Sequence, residues 1–209
     1  QQVLRLLPSF GLELHWAEVV TQWLQDILQT PLDADSGLRL CDLPATQRIN
    51  EMAFHFPVAG LTMTALKTAL QQTEKDSIWQ QLASDLHFHE LTGFMKGFID
   101  LVFEHNGRFY VADYKSNHLG SQPANYQGEA LQTAMLSHAY PLQYLIYSLA
   151  LHRHLQQRLP DYDPEIHFGG VYYLFLRGMK AEWSQTGVFF DRLDRRLLES
   201  VDQIMAGEQ

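Results

Sequence analysis

The feature that most constrains the fold of this chain is a pair of strand-like segments joined by Asn106 and Gly107. Residues 97–105 and 108–115 are rich in β-branched and aromatic side chains, which favour extended structure. Asn-Gly is the favoured pair for a two-residue type I′ turn between antiparallel strands. The two segments therefore predict a β-hairpin.

The register of this hairpin brings two acids together. With a two-residue loop, His105 pairs with Arg108, and counting back along both strands places Asp100 opposite Asp113. Lys115 shares a face with Asp113, because side chains two positions apart on a strand point the same way. Opposed like charges destabilise a hairpin unless a shared proton, a nearby cation or a bound metal relieves the repulsion.

Two interpretations of these charged residues stay open. Asp100, Asp113 and Lys115 could be solvated side chains on an exposed sheet face, with one salt bridge between them. Alternatively, two carboxylates on adjacent strands suit Mg²⁺, which prefers hard oxygen ligands. A lysine beside them can orient a water molecule or stabilise negative charge on a phosphate. The second interpretation predicts a metal-dependent phosphodiesterase.

The remaining patterns indicate a mixed chain. Helices are predicted over residues 16–29, which carry one apolar stripe, and over 62–72, 126–137, 141–158 and the last twenty residues. Strands are predicted over 49–58 and 168–176, while 73–92 are ambiguous. Helices mixed with an antiparallel hairpin favour an α/β or α+β fold, with helices on a central mixed sheet. We expect one domain over residues 1–209.

Composition narrows the function classes. The single cysteine, Cys41, excludes an intramolecular disulfide and any multi-cysteine zinc or iron–sulfur site. A net charge of −9 argues against a free-standing duplex-DNA binder, although a nuclease site itself needs acids. Arg153, Arg158, Arg177 and Lys180 fit a DNA-facing patch and a solvated face equally well. With no membrane-length apolar run and no visible signal peptide, we expect a cytoplasmic protein.

Three motifs in order resemble those of a known family. GFID at 97–100 and DYKSN at 113–117 resemble motifs II and III of the PD-(D/E)xK nucleases. QYLIY at 143–147 resembles the Gln-x-x-x-Tyr motif of the RecB-like branch of that superfamily. Gln143 and Tyr147 lie four positions apart on one helix face, where the resemblance implies support of the site or DNA contact. The spacing alone also fits a plain helix with a half-buried tyrosine.

The resemblance covers about residues 10–207 and implies a restriction-endonuclease-like core with defined site roles. Asp100 and Asp113 would bind Mg²⁺, with the backbone carbonyl of Tyr114 as a further ligand. Lys115 would be the catalytic lysine. The implied reaction is Mg²⁺-dependent hydrolysis of DNA phosphodiester bonds.

The third metal ligand of the family has two possible origins. It is the histidine of a Gly-x-x-x-His motif on an upstream helix, and Gly11 to His15 fits that spacing. The surroundings of Trp16, however, resemble a family segment that lies downstream of this motif, which would place the motif before Gln1. We therefore expect a chain truncated at its N-terminus unless His15 is the ligand.

The resemblance also implies partners. A RecB-type nuclease domain would act on DNA together with RecC and RecD subunits, with RecA as a further candidate partner. ATP would be used by a helicase region outside this chain, in bacterial double-strand-break repair and recombination. A different class stays open, in which a catalytically incomplete nuclease fold binds DNA or a protein such as RecA or RecC. An Asp113→Ala variant separates the two, because only an enzyme would lose cleavage.

Overall fold

The structure is a computed structural model that describes residues 1–74, 77–180, 182–183 and 186–207. The described strands are β1 (Arg48–Leu61), β2 (Leu91–His105), β3 (Arg108–Lys115), β4 (Phe168–Phe175) and β5 (Val188–Asp191). They form one sheet in the order β1-β2-β3-β4-β5, in which β3 and β4 run parallel and the other neighbours run antiparallel. The predicted mixed sheet with an antiparallel hairpin is confirmed.

The helices agree largely with the sequence patterns. They are α1 (Gln2–Leu6), α2 (Ala17–Gln29), α3 (Met63–Gln71), α4 (Ile78–Asp85), α5 (Gly128–Ser137), α6 (Tyr140–Arg158), α7 (Pro164–His167) and α8 (Arg195–Ala206). The four internal helix predictions are confirmed to within two residues at each end. The ambiguous stretch contains α4 and the beginning of β2. No helix in the described ranges combines the length and apolar character needed to cross a membrane.

The prediction for the last twenty residues was right only in part. Strand β5 extends into this stretch, since Phe190 and Asp191 pair with β4. Helix α8 begins after Asp194, whose side chain accepts a hydrogen bond from the backbone N–H of Leu197 at 2.7 Å. An N-terminal cap of this kind sets where a helix can start. Residues 208–209 of the prediction lie outside the described residues.

The predicted hairpin register is confirmed for the five pairs nearest the turn, and the regular ladder ends just before the predicted Asp100–Asp113 pair. Asn106 and Gly107 have φ angles of 53° and 77°, as a type I′ turn requires. The β2–β3 pairs run from His105–Arg108 back to Leu101–Ala112. Before Leu101, β2 pairs only with β1, so the two strands continue together past the end of β3.

Two apolar clusters cover the two faces of the sheet. The larger one joins α3, α4, α5, α6 and α8 to side chains such as Ile99, Val111 and Tyr173. On the opposite face, Ile27 of α2 and the loop that follows it pack against side chains such as Phe103. Strand β4 is buried along its whole length because it lies between two strands and under both clusters. A rigid central strand therefore supports the neighbouring end of β3.

Candidate active site

The candidate site lies where β2 separates from β3. The last regular pair of these strands is Leu101–Ala112. Asp100 directly precedes Leu101 and Asp113 directly follows Ala112, so the two acids lie just beyond that pair. The carboxylate of Asp100 accepts a hydrogen bond from the backbone N–H of Tyr114 at 3.0 Å. The structure thus brings the two predicted acids together at the end of the ladder.

Strand β1 is distorted at the same level. Asn50 pairs with Leu101 and Met52 pairs with Ile99. Glu51, between them, therefore falls opposite Asp100. Glu51 has a φ of 51°, in the left-handed region. Such a conformation costs a non-glycine residue about 1–3 kcal/mol and persists where the surrounding structure enforces it, often at functional sites. The kink accompanies the departure of Asp100 from the regular sheet.

Asp113 and Lys115 form the centre of the site. Lys115 Nζ lies 2.5 Å from Asp113 Oδ2, and both side chains are largely buried. Burial raises the pKa of the Asp113 carboxyl above its ordinary value, the ion pair with Lys115 lowers it, and the charge of Asp100 raises it further. The predicted shared face of Asp113 and Lys115 is confirmed.

Helix α6 completes the surroundings of the lysine. Lys115 Nζ donates a hydrogen bond of 2.8 Å to Gln143 Oε1, and Gln143 Nε2 donates one of 2.8 Å to the hydroxyl of Tyr147. The hydroxyl of Tyr173 on β4 also donates to Gln143 Oε1, at 3.1 Å. Of the two helix residues predicted to support the site, Gln143 therefore contacts the lysine directly, and Tyr147 is linked to it through Gln143.

Sequence reasoning missed two aromatic residues that enclose Lys115. Its Nζ lies 4.1 Å from the ring centroid of Tyr140 and 5.0 Å from that of Tyr173, distances that allow cation–π attraction. Tyr140 stands three positions before Gln143, so helical spacing offered a signal for it. Tyr173 lies within an entirely apolar strand pattern, and nothing in that pattern separates it from core residues.

The oxygen groups fit a hard divalent cation. Asp113 Oδ2 is buried and, within the described part of the chain, makes the ion pair with Lys115 but no hydrogen bond. Two carboxylates at one point match the oxygen donors that Mg²⁺ prefers. No group of three or more His, Cys, Asp or Glu side chains forms a metal cluster among the described residues. His15 lies instead beside Glu13, with 3.1 Å between Nδ1 and Oε2, on an exposed turn before α2.

The chain is similar to RecB subunits of the RecBCD enzyme from several bacteria. It is 43% identical to the RecBCD enzyme subunit RecB of Escherichia coli over 198 residues, and 43% identical to that of Haemophilus influenzae over 210 residues. These alignments cover 94% and 98% of this chain but 16% of each relative. The RecB subunit of Mycobacterium tuberculosis is 34% identical over 85% of this chain and 18% of its own length. The chain thus spans less than one fifth of these relatives.

The family comparison agrees with the geometry. The PD-(D/E)XK nuclease superfamily matches residues 10–209, a range that includes both acids, the lysine and the two helix residues of the candidate site. The five-stranded mixed sheet with flanking helices agrees with the core that the resemblance predicts. The chain therefore belongs to the PD-(D/E)XK nuclease superfamily.

Proposed function

We propose that this chain hydrolyses DNA phosphodiester bonds with Mg²⁺, as the nuclease domain of a RecB-type subunit. The observation that carries the proposal is the connected site of Asp100, Asp113, Lys115, Gln143 and Tyr147. Two carboxylates and a lysine at one sheet end, held by a helix, are suited to phosphodiester hydrolysis. The relatives at 43% identity are subunits of the RecBCD enzyme, which supports the assignment.

The carboxylates of Asp100 and Asp113, with the backbone carbonyl of Tyr114, would hold the metal. A bound Mg²⁺ would polarise the phosphate and make a water molecule more acidic. The hydrogen bond from the Tyr114 N–H keeps the Asp100 carboxylate beside the peptide that follows Asp113. This hydrogen bond helps to keep the oxygen groups of the site together.

Lys115 would stabilise negative charge that develops on the phosphate. Its ammonium is held by Gln143 and enclosed by the rings of Tyr140 and Tyr173. A charge fixed in position needs little reorganisation during the reaction, and this is what makes electrostatic stabilisation effective. Gln143 and Tyr147 act as positioning residues in this scheme.

The wider role follows the names of the relatives. We infer that the parent protein works in double-strand-break repair and recombination, with RecC and RecD as partner subunits and RecA as a further partner. ATP would be consumed in a helicase region outside this chain. The share of 16% that the chain covers in its relatives leaves room for such a region in a parent of similar length.

A binding module is the second candidate function. The observation that favours it is that, in the part of the chain that the structure describes, the two carboxylates do not belong to a group of three or more His, Cys, Asp or Glu side chains that could hold a metal. With two protein carboxylates, metal affinity would be weak, and the domain would then bind DNA or a partner protein without cutting.

The deciding experiment measures cleavage of labelled single-stranded DNA in Mg²⁺ or Mn²⁺. We expect wild-type cleavage that EDTA abolishes and that Asp113→Asn lowers by about 100-fold or more, while thermal unfolding shows an intact fold. Asp161→Asn is the matched control, because Asp161 is exposed beyond the far end of α6. Binding without cleavage by wild type, unchanged in Asp113→Asn, would support the binding module instead.

A His15→Ala variant decides the origin of the third ligand in the same assay. If His15 completes the site, the variant loses cleavage and needs more metal for half-maximal rate. If cleavage is unchanged, His15 has no part in metal binding.

A further inference from the structure

An arginine is fixed next to the end of β3 by the turn that follows β4. Residues 176–178 form this 3₁₀ turn. The Nε of Arg177 donates a hydrogen bond of 2.9 Å to the backbone carbonyl of Ser116. Ser116 directly follows Lys115. The guanidinium of Arg177 is therefore bound to the residue next to the lysine of the candidate site.

The turn that carries Arg177 is held on two sides. The indole N–H of Trp23 donates to the carbonyl of Leu176 at 3.2 Å, and the hydroxyl of Thr186 donates to the carbonyl of Gly178 at 2.7 Å. A side chain on Gly178 would approach the ring of Tyr126 to 2.3 Å, so glycine is required for this close packing. Arg177 therefore extends from a well-supported backbone.

The outer nitrogens of Arg177 are available to a ligand. The side chain is exposed, and within the described ranges it has no carboxylate at ion-pair distance and no hydrogen bond besides the one from Nε. By contrast, Arg153 pairs with Asp202, and Arg195 pairs with Glu199.

Asn117, on the loop that follows β3, already has hydrogen-bond partners. Asn117 accepts a hydrogen bond from the hydroxyl of Tyr140 at 3.0 Å, and its amide nitrogen contacts His138 Nε2 at 3.1 Å. Arg177 thus brings unused donors and a positive charge to this corner. With Nε bound to Ser116, the two Nη groups remain as a planar pair, the geometry that binds two phosphate oxygens at once.

We propose that Arg177 binds a backbone phosphate of the nucleic-acid strand, adjacent to the phosphate that is cut between Asp100, Asp113 and Lys115. This inference rests on the proposed function and adds a substrate-binding position to it. The Arg177 subsite recognises the phosphate and no particular base, since the contact is made to the backbone alone. It would align the strand across the end of β3.

The test measures binding of a labelled single-stranded DNA of mixed sequence in EDTA, as a function of salt, and cleavage kinetics in Mg²⁺. We expect Arg177→Gln to weaken binding about tenfold and to reduce the salt dependence by roughly one phosphate contact. In cleavage, KM should rise more than kcat falls. Arg177→Lys should retain part of the affinity because it keeps the charge and loses the fork.

Arg196→Gln is the matched control, since Arg196 is an exposed arginine on α8 without an ion pair within the described residues. Urea unfolding of each variant shows whether the fold is kept. If wild type cleaves DNA and Arg177→Gln matches Arg196→Gln in affinity, salt dependence and KM, the Arg177 subsite alone is overturned. If wild type neither binds nor cleaves DNA, the proposed function fails and the subsite fails with it.

Discussion

Helices α2 and α6 carry similar apolar side chains and bury them very differently. The apolar stripe predicted on α2 is present, but Val19, Trp23 and Leu24 are 59%, 38% and 40% exposed, and only Ile27 of the helix is buried. On α6, Leu145 and Leu149 have no exposed surface. An apolar stripe at helical spacing therefore predicts a helix and leaves open how much of the stripe is covered.

The difference follows from what each helix contacts. Helix α6 lies against β1, β3 and β4 and touches α4, α5 and α8, so neighbours surround it. Helix α2 contacts mainly α1 and two short turns, and its Trp23 hydrogen-bonds Leu176 in the turn after β4. Helix α6, the better buried of the two, carries Gln143 and Tyr147 of the candidate site. Its close packing fixes the positions of these two side chains.

The largest expected difference in stability between the two helices comes from making the same leucine-to-alanine substitution in each. Leu149→Ala in α6 removes a fully buried side chain and should lower the free energy of unfolding by about 2–5 kcal/mol. Leu24→Ala in α2 should change it by less than about 0.5 kcal/mol, since the side chain is already partly solvated. Urea denaturation of both variants measures the difference, and equal losses would contradict the contrast.

Replacing one glutamine in each helix tests whether α6 contributes to cleavage as well as to stability. Gln143→Leu removes the acceptor of Lys115 and Tyr173, and we expect a loss of about 1–3 kcal/mol in stability and up to about 100-fold in cleavage rate. Gln22→Leu in α2 removes only an exposed hydrogen bond to Asp26 and should leave both quantities unchanged. Cleavage assays on both variants, together with measurements of their free energy of unfolding, test these two expectations. Full activity in Gln143→Leu would remove it from the site.

Loss of one hydrogen bond should also differ between the helices. Tyr144→Phe in α6 removes a 2.7 Å bond to Asp191, whose pKa is raised by burial, and should cost about 1–2 kcal/mol. Trp23→Phe in α2 removes the bond to Leu176, whose carbonyl can bind water instead, and should cost about 0.5–1 kcal/mol. Thermal unfolding ranks the two, and the reverse order would refute the burial argument.

The smallest expected effect is a pH dependence on α6. Burial lowers the pKa of His152, an effect that Asp202 and Glu199 partly oppose and Arg153 reinforces. Below about pH 6.5 the unfolded chain takes up a proton that the folded chain does not, so stability should decrease as the pH falls from there to the lowered pKa. In His152→Gln this slope should be shallower, as shown by urea midpoints across that range. A slope identical to wild type would contradict the assignment.

Local patterns were sufficient for the hairpin. Its turn is specified by Asn106 and Gly107, and its register follows by counting along the two strands, which brings Asp100, Asp113 and Lys115 to one place. The kink at Glu51 could not be predicted in this way. It lies on β1 at the level where β2 leaves β3, and no residue type at that position requires a left-handed backbone.

Elements whose information is local could be read from the residues: the turn, the helix periods, and the spacing that puts Gln143 and Tyr147 on one face. Which apolar stripe is covered, and which side chains meet, depended on the packing of distant segments. Gln143 reaches Lys115 across 28 positions, and Arg177 reaches Ser116 across 61. Burial and hydrogen bonding stabilise whatever surfaces the fold brings close, and no short pattern contains both surfaces of such a contact.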